Sequence, residues 1–189
     1  MPGEHDGANM GTWGHLKLRK LASAAMHQPP SRDGGAASAL GSGGGVGSAG
    51  ESDVAIAQCS SIGNLGSKAD WWVRDLNRSL CGTGGVVEYP MKLVWPSVKA
   101  VRTSTEGYVN GFSIPFSEKN YARQRWMWRE AHHWRAEWCG RTRWSPHIKT
   151  YCRYSASDRA LRWVVLTSHN VSKAAWGEVQ NVGRHNEKL

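Results

Sequence analysis

His147 and Lys149 lie one residue apart in Pro146-His147-Ile148-Lys149-Thr150-Tyr151-Cys152, whose alternation predicts a β-strand. Side chains in a strand alternate, so His147, Lys149 and Tyr151 share one face while Ile148, Thr150 and Cys152 share the other. An imidazole beside an ammonium suits phosphoryl chemistry. The imidazole titrates near neutrality and can attack phosphorus or move a proton, while the ammonium neutralises the non-bridging oxygens. Further along, the apolar run Leu161 to Leu166 leads through Thr167-Ser168-His169-Asn170 into Val171-Ser172-Lys173-Ala174-Ala175-Trp176, which reads as strand, tight turn and helix. The turn delivers Asn170 to a strand end, where its amide can donate to the same anion. Ser172 and the neighbouring amides fall at the predicted helix N-terminus, a place that favours phosphate.

Other arrangements are weaker. An HxK pair can arise by coincidence, and His15-Leu16-Lys17 has the same spacing. On a helix, however, residues two apart point about 200° apart and cannot converge on one phosphate. His132, His133, Cys139 and Cys152 could in principle bind zinc, but their spacing matches no familiar finger or enzyme motif, so no metal site is expected. Gly45-Val46-Gly47-Ser48-Ala49-Gly50 spells GxGxxG without a strand before it or an amphipathic helix after it, which argues against a dinucleotide site.

These groups need a scaffold. Leu16, Leu18, Leu21 and Met26 predict a short helix bearing Lys17, Arg19 and Lys20, docked on the domain across a flexible segment. From Gln28 to about Asp53 the chain is almost entirely Ala, Gly, Ser and Pro and reads as a flexible loop. Ser67 and Asp70 form a predicted capping box ahead of Trp72, Val73, Leu76 and Leu80, one helical face that Cys81-Gly82 ends. Met91 to Trp95 is a predicted strand stopped by Pro96, and Ser117 opens the next helix after a turn at Pro115. The spacing of Met127, Ala131, Trp134 and Trp138 predicts one long helix over about Glu118 to Cys139, stopped by Gly140, with its tryptophans read as core rather than as stacking platforms. The domains expected are therefore 1–27, a segment with a short basic helix; 28–53, a flexible loop; and 54–189, an α/β unit.

The chain has 189 residues, 24 Lys or Arg and 15 Asp or Glu, a formal net charge of +9. That length suits one ordinary domain, and the basic balance suggests a polyanionic partner. Between Lys119 and Lys149 eight Lys or Arg oppose Glu130 and Glu137, leaving +6 of the +9 in one stretch. Such a stretch lines a phosphate groove or forms a solvated face. Eleven tryptophans supply core surface with aromatic faces to spare for stacking. The longest apolar runs are a few residues long, so no membrane partner is expected, and Met1 to Met10 holds no signal-like apolar stretch. Four scattered cysteines without a CxxC pair point to a reducing compartment rather than a disulfide scaffold.

Several blocks in order resemble the tyrosyl-DNA phosphodiesterase I family of the phospholipase D superfamily. They are Trp13-Gly14-His15-Leu16-Lys17-Leu18-Arg19-Lys20-Leu21, Ser60-Ser61-Ile62-Gly63-Asn64-Leu65-Gly66, Arg102-Thr103-Ser104-Thr105-Glu106-Gly107-Tyr108, Pro146 to Tyr151, and Ser168 to Gly177. Tyr154 stands where the superfamily's HxKxxxxD pattern has its aspartate, in keeping with this family's His, Lys and later Asn pattern. The resemblance implies an α/β phospholipase D-like fold, a mixed sheet flanked by helices, of two halves that each give one His/Lys/Asn set to a shared phosphate site. This chain resembles the carboxy-terminal half.

By that resemblance His147 is the general acid that protonates a leaving tyrosine, then the base that activates water against a phosphohistidine. Lys149 and Asn170 hold phosphate oxygens, and Ser61, Asn64, Ser113, Ser172 and Lys173 match DNA- and phosphate-contacting positions, Asn64 standing where the family commonly has serine and His169 where it often has a small residue. The implied function is removal of tyrosine or topoisomerase-derived peptide from a DNA 3′ end during repair in the nucleus, on single-stranded DNA or 3′-end adducts, with no cofactor. The first half's HxK, which supplies the nucleophilic histidine, has no counterpart, because His15 and Lys17 fall in a different block. The chain also ends before the acidic residue and last strands of the family pattern, so little or no turnover is expected from it alone. Two alternatives remain: a non-catalytic basic DNA-binding fragment, and a homodimer joining two copies of His147, the oligomeric state being open.

Overall fold

The computed structural model describes residues 13–27, 53–82 and 90–179. A five-stranded mixed sheet organises them, in the order β3-β2-β1-β4-β5. Its strands are β1 (Asp53–Gln58), β2 (Met91–Trp95), β3 (Ala131–His133), β4 (Lys149–Ser155) and β5 (Leu161–Thr167). β1, β2 and β3 run parallel, whereas β4 and β5 run antiparallel to their neighbours. Five helices accompany the sheet: α1 (Gly14–His27), α2 (Arg78–Cys81), α3 (Val98–Arg102), α4 (Glu118–Arg123) and α5 (Lys173–Trp176). The expected 28–53 loop and its GxGxxG lie outside the described residues except for Asp53, which opens β1. No helix among the described residues is long and apolar enough to cross a membrane.

The core forms where one sheet face meets α1 and the helical segment before β2. Ala55 and Ala57 of β1, Leu93 of β2 and Tyr151 of β4 are fully buried against Leu76, Leu80, Trp71 and Trp72. Small alanines on the central strand leave room for those indoles, as close packing requires. The predicted face of Trp72, Leu76 and Leu80 is inward, and Gly82 ends it at φ +67°. The capping box is corrected: Asp70 makes no side-chain cap, and Trp71–Asn77 is a wide π-helical turn leading into α2. Within that turn the consecutive Trp71 and Trp72 both bury. A buried ion pair closes the far end of the sheet. Asp53 Oδ2 accepts from Arg153 at 2.7 Å, and Arg153 Nη1 donates to the Cys81 carbonyl at 2.8 Å.

The predicted N-terminal helix forms as α1 and docks through Leu18 and Ala22. His15 Nδ1 lies 2.8 Å from Ser79 Oγ. Gly14 has φ +59°, and a Cβ there would come within 2.2 Å of the Trp176 carbonyl oxygen, so α1 meets α5 through bare backbone.

The long helix over Glu118 to Cys139 does not exist. Ser117 does cap a helix, accepting from Asn120 N, but α4 stops after Arg123. A 3-10 turn, Arg125–Arg129, strand β3 and a second 3-10 turn, Glu137–Cys139, follow, the last ended by Gly140 at φ +69°. Tertiary hydrogen bonds override the helical period. Gln124 turns inward to bond Leu65 N and the Gly63 carbonyl, while Leu93 N draws Glu130 O to the sheet edge at 2.7 Å. Of the predicted stripe Met127 is buried, but Trp138 is 91% exposed. The dense positive charge is therefore spread over several short elements, not one helix.

The outer face of the sheet contrasts with the core. Val164 and Leu166 on β5 stand exposed there.

Candidate active site

Strand β1 ends at Gln58, and its pairing with Thr150 fixes where β4 begins. Gln58 Nε2 donates to the Ile148 carbonyl at 2.7 Å and Gln58 Oε1 accepts from Thr150 Oγ1 at 3.1 Å, so one side chain clamps the residues around Lys149. Lys149 is the first residue of β4 and points inward with Tyr151, as the alternation predicts. His147 is corrected: it precedes the strand and is exposed, so the predicted strand face does not extend to it. Pro146 lies just before it and denies that stretch a ladder donor. The pair still meets. Lys149 Nζ lies 3.4 Å from His147 Nε2 and donates to the His147 carbonyl.

Lys149 is only 6% exposed and makes no ion pair with the described residues. A buried ammonium whose partners are a carbonyl and an imidazole lacks a counter-charge, and an anion supplies one.

The predicted strand, turn and helix after β4 form as β5, residues 168–172 and α5. Asn170 Oδ1 accepts three hydrogen bonds, from Ser60 N (3.2 Å), Ser60 Oγ (3.2 Å) and Ser61 N (3.0 Å). Two of those donors are backbone N–H groups, which fixes the amide orientation and leaves Nδ2 as the group to meet an anion. The turn is held from behind as well. Tyr151 Oη donates to the His169 carbonyl at 2.9 Å, and Trp176 Nε1 donates to Tyr151 Oη at 3.0 Å. Burial pushes the Tyr151 phenol up, so it stays a neutral strut.

The Ser60–Gly66 loop is brought to the same place. Gly63 N donates to the Val171 carbonyl at 2.9 Å, and Ile62 bridges both Val171 and Phe116. A Cβ on Gly63 would lie 2.5 Å from Ser172 Cβ, so only glycine allows this approach. Cys59 is buried behind it, and burial pushes its thiol up to about 12, which removes it as a nucleophile.

The remaining predicted residues divide. Ser61 lies within the loop that grips Asn170, whereas exposed Asn64 caps its own turn, accepting from Gly66 N at 3.0 Å. Ser113 ends an exposed 3-10 helix, Gly107–Ser113, whose chain returns to the site at Pro115, the carbonyl partner of Ile62 N. Ser172 Oγ caps α5 by accepting from Ala175 N at 3.1 Å. With α5 a single turn of four residues, it has little dipole to offer a phosphate, and that expectation is withdrawn. Lys173 pairs with Glu178. His15 and Lys17 lie on α1, with His15 buried against Ser79, so this second HxK forms no phosphate pair. No cluster of three or more His, Cys, Asp or Glu among the described residues is placed to hold a metal. Sequence reasoning missed Gln58 and Gln124, whose only signal is a polar residue in an apolar neighbourhood.

The fold recurs in solved structures of yeast tyrosyl-DNA phosphodiesterase variants. One superposes with a TM-score of 0.58 over 87% of this chain and 39% of its own, at 17% identity. Another gives 0.54 over 67% and 36%, at 16% identity. At such identities the likeness is one of fold, and it bears out the expected phospholipase D-like α/β sheet. Sequence comparison carries the relationship further. A family model described as tyrosyl-DNA phosphodiesterase matches residues 1–188. A probable tyrosyl-DNA phosphodiesterase of Caenorhabditis elegans is 44% identical over 139 residues, 71% of this chain and 30% of that protein. Tyrosyl-DNA phosphodiesterase 1 of Arabidopsis thaliana is 34% identical over 191 residues, 95% of this chain and 26% of that protein. The chain belongs to the tyrosyl-DNA phosphodiesterase family and spans less than a third of the length of these two relatives.

Proposed function

We propose that this chain supplies one His/Lys/Asn half-site of a phosphodiesterase that removes tyrosine or a topoisomerase-derived peptide from a DNA 3′ end, in nuclear repair. The observation that carries the reading is buried, counter-charge-free Lys149 in contact with His147. Lys149 Nζ and Asn170 Nδ2 take the non-bridging phosphate oxygens. They stabilise the charge that builds in the transition state and, being held in place beforehand, need little rearrangement. A histidine from a complementary half attacks phosphorus, the bond to the tyrosyl oxygen breaks, and His147 gives that oxygen its proton. His147 then takes a proton from the water that releases the phosphate from the attacking histidine. Exposure of His147 suits this role, because the water that it activates in the second step must reach its ring.

In this reading the attacking histidine comes from a complementary half. His15-Leu16-Lys17 is the sequence's one other HxK, and α1 turns it away. The expected result is that the chain alone binds a single-stranded oligonucleotide ending in a 3′-phosphate yet releases no tyrosine from its 3′-phosphotyrosyl counterpart in chelator. Lys149→Met should abolish the preference for the phosphorylated end. Equal affinity for 3′-phosphate and 3′-hydroxyl ends would overturn the reading. Tyrosine release that disappears in His147→Ala would instead show that copies of this chain assemble a complete site.

A further inference from the structure

The 3-10 helix Gly107–Ser113 exposes its large side chains to solvent. Phe112 is 88% exposed and Tyr108 65%, on a segment with no buried residue. Trp144, 60% exposed, lies on the loop that leads to His147. Two hydrogen bonds join these segments, from Thr105 N to the Arg143 carbonyl at 2.9 Å and from Thr105 Oγ1 to the same oxygen at 3.3 Å. At its other end the helix runs into Pro115, which bonds Ile62 beside Ser61. The aromatic segment thus spans from the loop that bears Ser61 to the loop that bears His147.

The charge around it is mainly positive. Lys99 and Arg102 on α3, which packs on the 3-10 helix through Val101 and Gly111, join Arg141 and Arg143 on the loop. These four cations oppose Glu106, and none of them makes an ion pair with the described residues. Exposed rings set among unpaired cations fit a polymer that carries π-faces and phosphates together. A duplex hides its base faces inside the stack, whereas a single strand presents them.

We propose that Tyr108, Phe112 and Trp144 form a rim on which the unpaired bases of a single-stranded nucleic acid stack, with Arg102 and Arg143 taking its phosphates. The rim extends the half-site reading and rests on it only for where the strand's 3′ end lies. Stacking is tolerant of base identity, so the rim grips a strand without reading its sequence. It leaves the terminal phosphate to Lys149 and Asn170.

Binding of the whole chain to a thymidine 15-mer and to an abasic phosphodiester of equal length separates stacking from charge. The thymidine strand should bind about tenfold tighter or better, in line with the effect of one stacked base. Phe112→Ala, Tyr108→Ala and Trp144→Ala should each weaken thymidine binding severalfold and leave abasic binding unchanged, while Phe112→Trp restores it. All three positions are exposed, and unchanged circular dichroism checks that each of the four variants folds. Equal affinity for the two strands, or alanine variants that bind thymidine as the parent does, would overturn the proposal. Lys149→Met tests the half-site separately, because it should act only on strands with a 3′-phosphate.

Discussion

The two arms of the proposed half-site are held in opposite ways. Asn170 is fixed by three hydrogen bonds to one oxygen, by the Tyr151 and Trp176 strut behind its turn, and by backbone contact with the Ser60–Gly66 loop. His147 sits exposed before β4, and among the described residues its side chain has Lys149 as its one hydrogen-bond partner. A group that binds charge works best when its position is settled before the substrate arrives, since no reorganisation is then needed. In the proposed mechanism His147 takes its second proton from the hydrolytic water, so it must be open to that water. Rigidity on one side and access on the other suit the two proposed tasks.

If Asn170 is structural as well as functional, its loss should be the costliest change. Asn170→Leu strands two backbone N–H groups, and at about 1 kcal/mol for each net hydrogen bond it should lower stability by about 2–3 kcal/mol in urea unfolding. Asn170→Asp keeps the acceptor oxygens and should unfold close to the parent. Its added negative charge should still weaken binding of a 3′-phosphate end by about tenfold or more, about 1.4 kcal/mol. Equal damage to stability by both changes would show that the three hydrogen bonds do not hold this arm.

The next effect comes from Gln124, which is fully buried and bonds Leu65 N at 2.8 Å and the Gly63 carbonyl at 3.0 Å. Gln124→Leu keeps the bulk and leaves both backbone groups bare, at a cost of about 2 kcal/mol in the same experiment. Because Gly63 also abuts Ser172, the variant should bind a 3′-phosphate end more weakly although Gln124 never meets it. Unchanged binding with reduced stability would confine Gln124 to the fold.

How much of this the sequence discloses depends on whether local pattern and tertiary demand agree. β2, β5, the turn at Asn170, the α1 docking and the Gly82 stop are legible because period, turn residue and burial all point one way. The segment from Glu118 to Cys139 is not, because its helical period is real while Gln124 and Glu130 are drawn off by partners about 60 and 37 positions away in the chain. In the site, Lys149 and Asn170 stand where residue type and motif place them. His147 left the strand because alternation does not say where a ladder starts. That boundary is set by Gln58 on another strand, which nothing near His147 in the sequence reveals.

A smaller effect tests how far the rigid arm reaches. Burial lowers the His15 pKa from its ordinary value of 6.5, Asp75 opposing that shift and Arg19 adding to it. The unfolded chain therefore takes up the proton first as pH falls. Stability should be fully present above about pH 6.5 and should fall below it, down to the depressed value of the folded state, by at most about 1.4 kcal/mol per pH unit. His15→Gln, which has no proton to gain, should flatten that part of the profile. Since Gly14 rests on Trp176, and Trp176 holds Tyr151, acid that loosens α1 should also weaken binding of a phosphate end. Equal pH profiles for parent and His15→Gln would separate α1 from the site.

The smallest change in stability is expected at His147, the residue given both proton transfers in the proposed mechanism. His147→Asn removes a side chain whose one hydrogen-bond contact among the described residues is Nζ of Lys149, and Lys149 keeps the His147 carbonyl, which the substitution does not touch. Unfolding should shift by no more than about 0.5 kcal/mol, as for an ordinary exposed position. Binding of a 3′-phosphate end should also hold, since in the proposed site Lys149 and the Asn170 amide hold the phosphate. In a complete two-half enzyme the same change should steeply slow tyrosine release in a single turnover and leave single-turnover release of nitrophenol, a leaving group that needs little protonation, far less affected, while the later attack of water is slowed for both. A stability loss as large as that of Asn170→Leu would show that both arms are fixed alike, and the difference between a settled anion binder and an accessible proton carrier would then disappear.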